Sequence, residues 1–516
     1  MFDTSHGCIM VAGNSRDTMA SSADGPEQYR RLLDRYRQIS NLEQASSYLE
    51  WDQRVMMPLE GTEGRAKQLS AISRTIQDLW NSETLEECLT DINRASLDEK
   101  QCANIREISR RYERAVRVPS ELTGQITEQA SENRKVWSEA KKKSEYGLFA
   151  PKLAEIRDLQ VQRAESINDD VSPYHVMFED THPYLDLERV ETIFDTIRDE
   201  VPEIVETIRS SDVKLATVEQ PTDEDAQREI CERALEFLGY DWSRGRLDVS
   251  SHRFMTGTQF DARVTTRFNE TDPLDPITGT IHEFGHATYQ HGLTKTHYGT
   301  PLGESHSSIH ESQSRFWENH IARTKSFWEA FLPIIDDIEG FDVTPHEAYQ
   351  AVNQIHPNNL IRVEADELTY HLHILLRAEL GRKFIEGELD VAELPRAWND
   401  RMEEYLGVRP QNDAEGCLQD VHWTERFAAF QTYTIGSVFA AQLNSAMRQD
   451  LDVDALVREG RFDPIHDWLE RHIHSHGKRY TPPELIEKVT GSPLSADAFL
   501  EYIKTKYSNI YGVNLH

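Results

Sequence analysis

A mainly α-helical single domain carrying one small β-sheet is the fold class that this sequence predicts, on three observations. Apolar residues recur at helical spacing from about residue 26 to the end, only one segment reads as a strand, and no repeat or low-complexity linker divides the 516 residues. In chain order, Leu32, Leu33, Tyr36, Ile39, Leu42 and Leu49 mark one apolar face over Gln28–Glu50. Similar patterns predict helices over Arg65–Leu79, Leu97–Arg117, Ser120–Lys143, Gly147–Asn168 and Leu187–Ser210, with turns at Met57-Pro58 and His182-Pro183. Phe260–Phe268 is β-branched and aromatic with partial alternation, lies between turn residues, and predicts a strand. Residues 1–24 read as a disordered leader, or as residues ahead of a true start at Met19, and 25–516 as the helical domain. The short apolar run Cys8–Gly13 follows Asp3 rather than a basic stretch and has no clear cleavage site, so it does not read as a signal peptide.

Composition excludes several classes of function. The net charge of −33 argues against partnership with nucleic acid or an anionic membrane surface, and no run approaches the roughly 18 apolar residues of a membrane span. Arg outnumbers Lys by more than two to one and the acidic excess is spread along the chain, a pattern expected of a protein adapted to a high-salt cytoplasm, where salt screens self-repulsion. The five cysteines are scattered, odd in number and without a CxxC pair. A reducing, cytoplasmic location is expected, and any metal must use histidine and carboxylate ligands.

The chemistry gathers at Ile281-His282-Glu283-Phe284-Gly285-His286. On a helix, His282 and His286 share one face a turn apart, so both imidazoles reach a single ion, while Glu283 stands about 100° round the axis and faces a water without binding the metal. Asp275 as N-cap, Pro276 at the first helical position and Gly292 just past the end are the expected boundaries. Between Ile277 and Gln290 Glu283 is almost the only charge, so a buried carboxylate is expected there. This is the pattern of a zinc peptidase, with cobalt as the other candidate metal and Glu283 as catalytic base. A strand just before such a helix is either a structural hairpin or an edge that holds a substrate extended.

Zinc requires a third protein ligand. Position 289 is Tyr, position 292 is Gly, and His291 points away, which leaves Glu304, Glu311 and Glu318. Glu311 is preferred because it lies on a packed helix with Ile309, Phe316 and Trp317, whereas Glu304 is on a Gly-containing loop and Glu318 reads as structural. The residues themselves reach only a metallopeptidase; one acting at a free C-terminus would need a guanidinium for the carboxylate, with Arg362 the first candidate and Arg263 the second, since it offers a bidentate fork. Asp366, four residues past Arg362, would pair with it on a shared helix or orient a metal-bound imidazole. Tyr433 and His422 are candidate donors to an oxyanion, Asp261 and Gln419 candidate cleft residues, and Trp423 reads as packing. His297, His306, His310, His371 and His373 read as ordinary polar or packing residues.

Several motifs occurring in order make the chain from about residue 26 resemble the carboxypeptidase Taq family of thermostable metallocarboxypeptidases. His282-Glu283-Phe284-Gly285-His286 is followed by His310-Glu311-Ser312-Gln313, whose Glu is the third metal ligand in that family. Asp261-Ala262-Arg263-Val264-Thr265 is similar to Asp-x-Arg-x-Thr, Ile361–Asp366 to Ile-Arg-x-x-Ala-Asp, and Gly416–Trp423 to Gly-x-x-Gln-Asp-x-His-Trp. Two departures touch the substrate pocket: the family's His-Pro-Phe is His252-Arg253-Phe254 here, and the segment Phe427–Tyr433 is altered although Tyr433 stays in place. The resemblance implies release of single residues from peptide C-termini, a homodimer, and an elongated, neurolysin-like helical fold whose deep groove admits peptides. The neighbouring expectation is a zinc endo-oligopeptidase of the same architecture.

Overall fold

The computed structural model describes residues 26–339, 341–356 and 358–516, so the leader expected over residues 1–24 lies outside the described residues. The expected helices form close to their predicted limits: Glu27–Val55, Thr62–Trp80, Glu99–Arg117, Ser120–Lys143, Tyr146–Ile167 and Leu187–Arg209. Sequence chemistry sets the ends. Asp98 and Gln101 close a capping box before Glu99, and the first helix stops at Met56, two residues ahead of Pro58.

The sheet has three strands, β1 (Gly245–Val249), β2 (Met255–Gly257) and β3 (Ala262–Thr266), in the order β1-β3-β2. β1 runs parallel to β3, and β2 runs antiparallel to it with Met255 opposite Val264. The strand predicted over Phe260–Phe268 is thus the shorter, central β3. It is not an edge: β2 is, and its three residues gave no alternation to read. The turn between them is tight, because Gly257 has φ +147° and a Cβ there would lie 2.1 Å from the Asp261 carbonyl oxygen.

The central helix, Leu274–Gly292, packs on β3 and is tied to it by a 2.8 Å hydrogen bond between Thr280 and Thr266 hydroxyls. Its boundaries differ from expectation. The Asp272 carboxylate, not that of Asp275, accepts from the first-turn N–H groups of Leu274 and Asp275. Asp275 instead pairs with Arg253. Gly292 is the last helical residue, and a Cβ there would meet the His474 ring at 2.4 Å, so close packing requires the glycine. The rear of the helix (Ile277, Ile281, Phe284, Ala287) is sealed in the core, with Phe284 edge-on to Trp317 at 5.0 Å. Burial of that face fixes the opposite one, which carries His282, Glu283 and His286.

Candidate metal centre and cleft

The third member of the site comes from the short helix Ser307–Arg315, which crosses the central helix at Gly285. A Cβ at Gly285 would lie 2.5 Å from the Gln313 carbonyl oxygen, so only glycine permits that approach. It brings together His282, His286 and Glu311, whose ligand atoms all lie within 4.8 Å of one another, with His286 Nε2 3.5 Å from Glu311 Oε2. Donors spaced tetrahedrally about a transition metal at ordinary bond lengths stand about 3.4 Å apart, so the set fits a divalent ion. Glu304, the loop alternative, is not there: it pairs with Lys478 and accepts from Tyr36.

Each imidazole is turned by a bond at its other nitrogen. His282 Nδ1 lies 2.9 Å from Glu318 Oε2, and His286 Nδ1 lies 3.1 Å from the His310 carbonyl. Both acceptors place the proton on Nδ1 and leave Nε2 as the donor atom toward the site. Burial holds His286 well below the ordinary histidine range, which keeps it neutral. The His310 ring also stacks on His286 at 4.3 Å and 14°, so His310 positions a ligand rather than merely filling space. Glu318, read from sequence as structural, is the carboxylate that orients His282. It lies in a π-helical turn, Phe316–Ala322, and also binds Arg315 (3.3 Å) and Arg323 (3.0 Å). Arg315 in turn donates to Glu311 Oε1 at 2.9 Å, leaving Oε2 toward His286.

Glu283 is 5% exposed, and its Oε2 has no hydrogen-bond partner among the described residues. Burial pushes its carboxyl up to about 7, against the pull of His282. A buried orphan carboxylate oxygen beside three convergent ligand atoms is the mark of a group waiting for a partner not supplied by the chain.

Arg362 lines the same cavity as His282 and Glu283, together with Arg253, Tyr370 and Glu367. Its guanidinium lies over the rings of Phe430 (5.2 Å) and Tyr433 (5.8 Å) and has no carboxylate within 4.0 Å among the described residues. Tyr433 is held against Tyr370, and burial raises its phenol. One turn on, Gly436 packs directly on Glu311.

The remaining expectations are redistributed. Arg362 sits in a separate turn, Arg362–Glu364, so it shares no helix with Asp366. Asp366 neither pairs with it nor orients an imidazole. Its oxygens accept from the N–H groups of His356, Leu368 and Thr369 and from the Thr369 hydroxyl, which fixes the start of the Thr369–Ile385 helix. Gln419 does not face the cavity. It accepts from the Arg362 N–H at 3.0 Å and donates to the carbonyls of Leu360 and Glu415, bracing the Arg362 turn. His422 is bound to Asp420 at 2.7 Å and lies edge-on at 5.0 Å to Phe430, the ring on which Arg362 also rests. His252 is exposed on the β1–β2 loop, while its neighbour Arg253 enters the cavity. Arg263 is spent on Asp261 at 2.7 Å and on the rings of Tyr48 and Trp51. Sequence reasoning missed Arg253, Arg315 and Tyr370. Two signals were available: Arg253 stands where the resembled family has Pro, and Arg315 lies one helical turn from Glu311.

Comparison with known proteins agrees with this geometry. The model of the carboxypeptidase Taq (M32) metallopeptidase family matches residues 31–507. The chain is 35% identical over 505 residues to thermostable carboxypeptidase 1 of Thermus thermophilus, covering 94% of this chain and 99% of that protein. It is 34% identical over 495 residues to carboxypeptidase 1 of Bacillus subtilis, covering 93% and 98%. The crystal structure of the M32 carboxypeptidase from Deinococcus radiodurans superposes with a TM-score of 0.90 at 32% identity, covering 95% of this chain and all of that one. The chain therefore belongs to the carboxypeptidase Taq (M32) family of metallopeptidases and is a peptide hydrolase.

Proposed function

We propose that this enzyme releases single residues from the C-termini of peptides, with a zinc ion held by His282, His286 and Glu311. The observation that carries the reading is Arg362: a guanidinium in the wall of the cavity that holds His282 and Glu283, hydrogen-bonded to Tyr370 but with no carboxylate ion-pair partner among the described residues. A half-buried cation without a counter-ion is costly, and a substrate α-carboxylate is the partner that its fork fits. Zinc bound there supplies Lewis acidity toward the scissile carbonyl and acidifies water. Glu283, poised near neutrality, takes a proton at Oε2 from the attacking water and returns it to the leaving amine. Tyr370, in the cavity wall, and Tyr433, edge-on to it at 6.1 Å, are the hydroxyl donors for the developing oxyanion.

The same reading includes a groove along the central helix that admits extended peptides, a homodimer, and a reducing cytoplasm of high salt. The last is supported by the net charge of −33 and the free thiols of Cys88, Cys102, Cys231 and Cys417. The test is to incubate one peptide as free acid and as C-terminal amide, with and without chelator. Chelator-sensitive release of the terminal residue from the acid alone is expected. Equal cleavage of the amide would make the enzyme an endo-oligopeptidase instead.

A further inference from the structure

We propose that a second cavity, on the other side of the metal ligands, is the subsite for the residue just upstream of the scissile bond, and that it selects uncharged side chains there. The inference rests on the reading above, which places the C-terminal residue near Arg362. The Arg362 cavity touches the first half of the central helix, at Asp275, Thr278, Gly279, His282 and Glu283. The second cavity touches its last turns: Gln290 lies four residues past His286, and His310, stacked on His286, forms the adjoining wall. A peptide whose carboxylate meets Arg362 and whose scissile bond lies at His282 and His286 has its upstream residue on this side.

The lining supports the same direction. β2 is an edge of the sheet, with a strand partner on one side only among the described residues, and Met255, Thr256 and Gly257 form one wall. An extended peptide can pair with such an edge while alternate side chains drop into pockets. The opposite wall is the first helix, through Gln44, Ser47 and Tyr48. The cavity volume of about 220 Å³ leaves room for one side chain.

Among the described residues no Asp, Glu, Lys or Arg lines this cavity, in a chain where 28% of residues are charged. Several of its polar groups already have partners: Gln290 contacts His310 at 3.2 Å, Tyr298 donates to Gln44, and Tyr48 donates to the Asp261 carbonyl at 2.7 Å. The Asp261–Arg263 pair also acquires a role here, because Arg263 stacks on Tyr48 and Trp51 and so braces the helix wall against the sheet. Arg263 is thus a positioning residue for the upstream subsite rather than a carboxylate clamp. A short acidic side chain would leave its charge in this wall unpaired, at a cost in rate of roughly ten- to a hundred-fold. A lysine stem can carry its charge out to water and suffers less.

The test uses the metal-loaded enzyme and N-blocked dipeptides Xaa-Leu with Xaa as Leu, Asn, Asp or Lys. The wild type is expected to rank Leu and Asn first and Asp last in kcat/KM. Gln290→Glu is expected to raise the Lys-to-Asp ratio by about ten-fold, and Ser47→Glu, on an exposed position of the first helix, to shift it the same way if Gln290→Glu fails to fold. Preference at the terminal residue, read with Leu-Yaa dipeptides, should not move. An unchanged Lys-to-Asp ratio in a folded, active variant overturns the assignment, as does a shift confined to the terminal residue. Failure of the wild type to release any terminal residue would instead remove the carboxypeptidase reading, and the subsite with it.

Discussion

Gly436 tests whether the Gln431–Asp450 helix holds the third ligand in place. A Cβ at this position would lie 2.4 Å from Glu311 Cγ, 2.8 Å from its Cβ and 3.2 Å from its carbonyl carbon. These atoms sit close to the backbone of a buried helix, so the side chain cannot swing away without moving the carboxylate. Alanine gains about 0.8–1 kcal/mol over glycine in a helix interior, whereas overpacking costs about 1–3 kcal/mol. The net effect of Gly436→Ala is therefore a loss of about 0–2 kcal/mol, together with a weakening of metal binding of roughly 10–100-fold as Glu311 shifts from His286. Gly124 is the control: it is helical and exposed, and among the described residues nothing outside its own helix backbone lies within 4 Å of its would-be Cβ, so Gly124→Ala should gain the full helix propensity. Chemical denaturation of the metal-free proteins and competition with a calibrated chelator measure the two effects. If Gly436→Ala were stabilised like the control and kept wild-type metal affinity, the packing argument would be refuted.

Three further outcomes follow from the same network. Glu318→Gln keeps the shape but removes the charge that His282, Arg315 and Arg323 share, so metal affinity should fall about 10–100-fold and stability by about 3–5 kcal/mol; chelator competition and urea melts read both. Arg362→Gln should lower kcat/KM for free-acid peptides by roughly 10–100-fold and leave the slow cleavage of amides nearly unchanged, collapsing the acid-to-amide ratio. Burial pushes His182, His320, His371, His373 and His474 down to about 3, so in the fold they stay neutral where unfolded histidine begins to protonate. Their stabilising contribution is fully present above about pH 6.5 and is lost as pH falls toward 3. Melting of the metal-free protein should therefore decline from near pH 6.5, because the five histidines outweigh the raised carboxyl of Glu283, whose effect runs the other way; a flat profile down to pH 5 would contradict this.

What could be read from the sequence was what periodicity and spacing encode. Helix limits followed because apolar stripes and Pro breaks are local signals, and Ser120–Lys143 was placed to the residue. The convergence of His282, His286 and Glu311 was legible because the first two share a helix face and the third had few rivals. Partners set by tertiary packing were not. Glu318 reaches His282 only through the π-helical turn that follows Arg315, and Asp366 becomes a helix cap only because the Arg362 turn ends at Glu364. Arg263 looked free in sequence, yet β3 delivers it to Tyr48 and Trp51, residues more than two hundred positions earlier. The β2 edge escaped notice because three residues carry no periodic signal.

The most direct test of the account is the pair of measurements on Glu283→Gln: bound divalent metal by mass spectrometry, and release of a C-terminal residue under single-turnover conditions. The account predicts a variant that binds metal as tightly as the wild type, since Glu283 is no ligand, with hydrolysis reduced by at least about a hundred-fold. Wild-type turnover in the metal-loaded variant would contradict the role of Glu283, and loss of the metal would show that the ligand set is not His282, His286 and Glu311 alone.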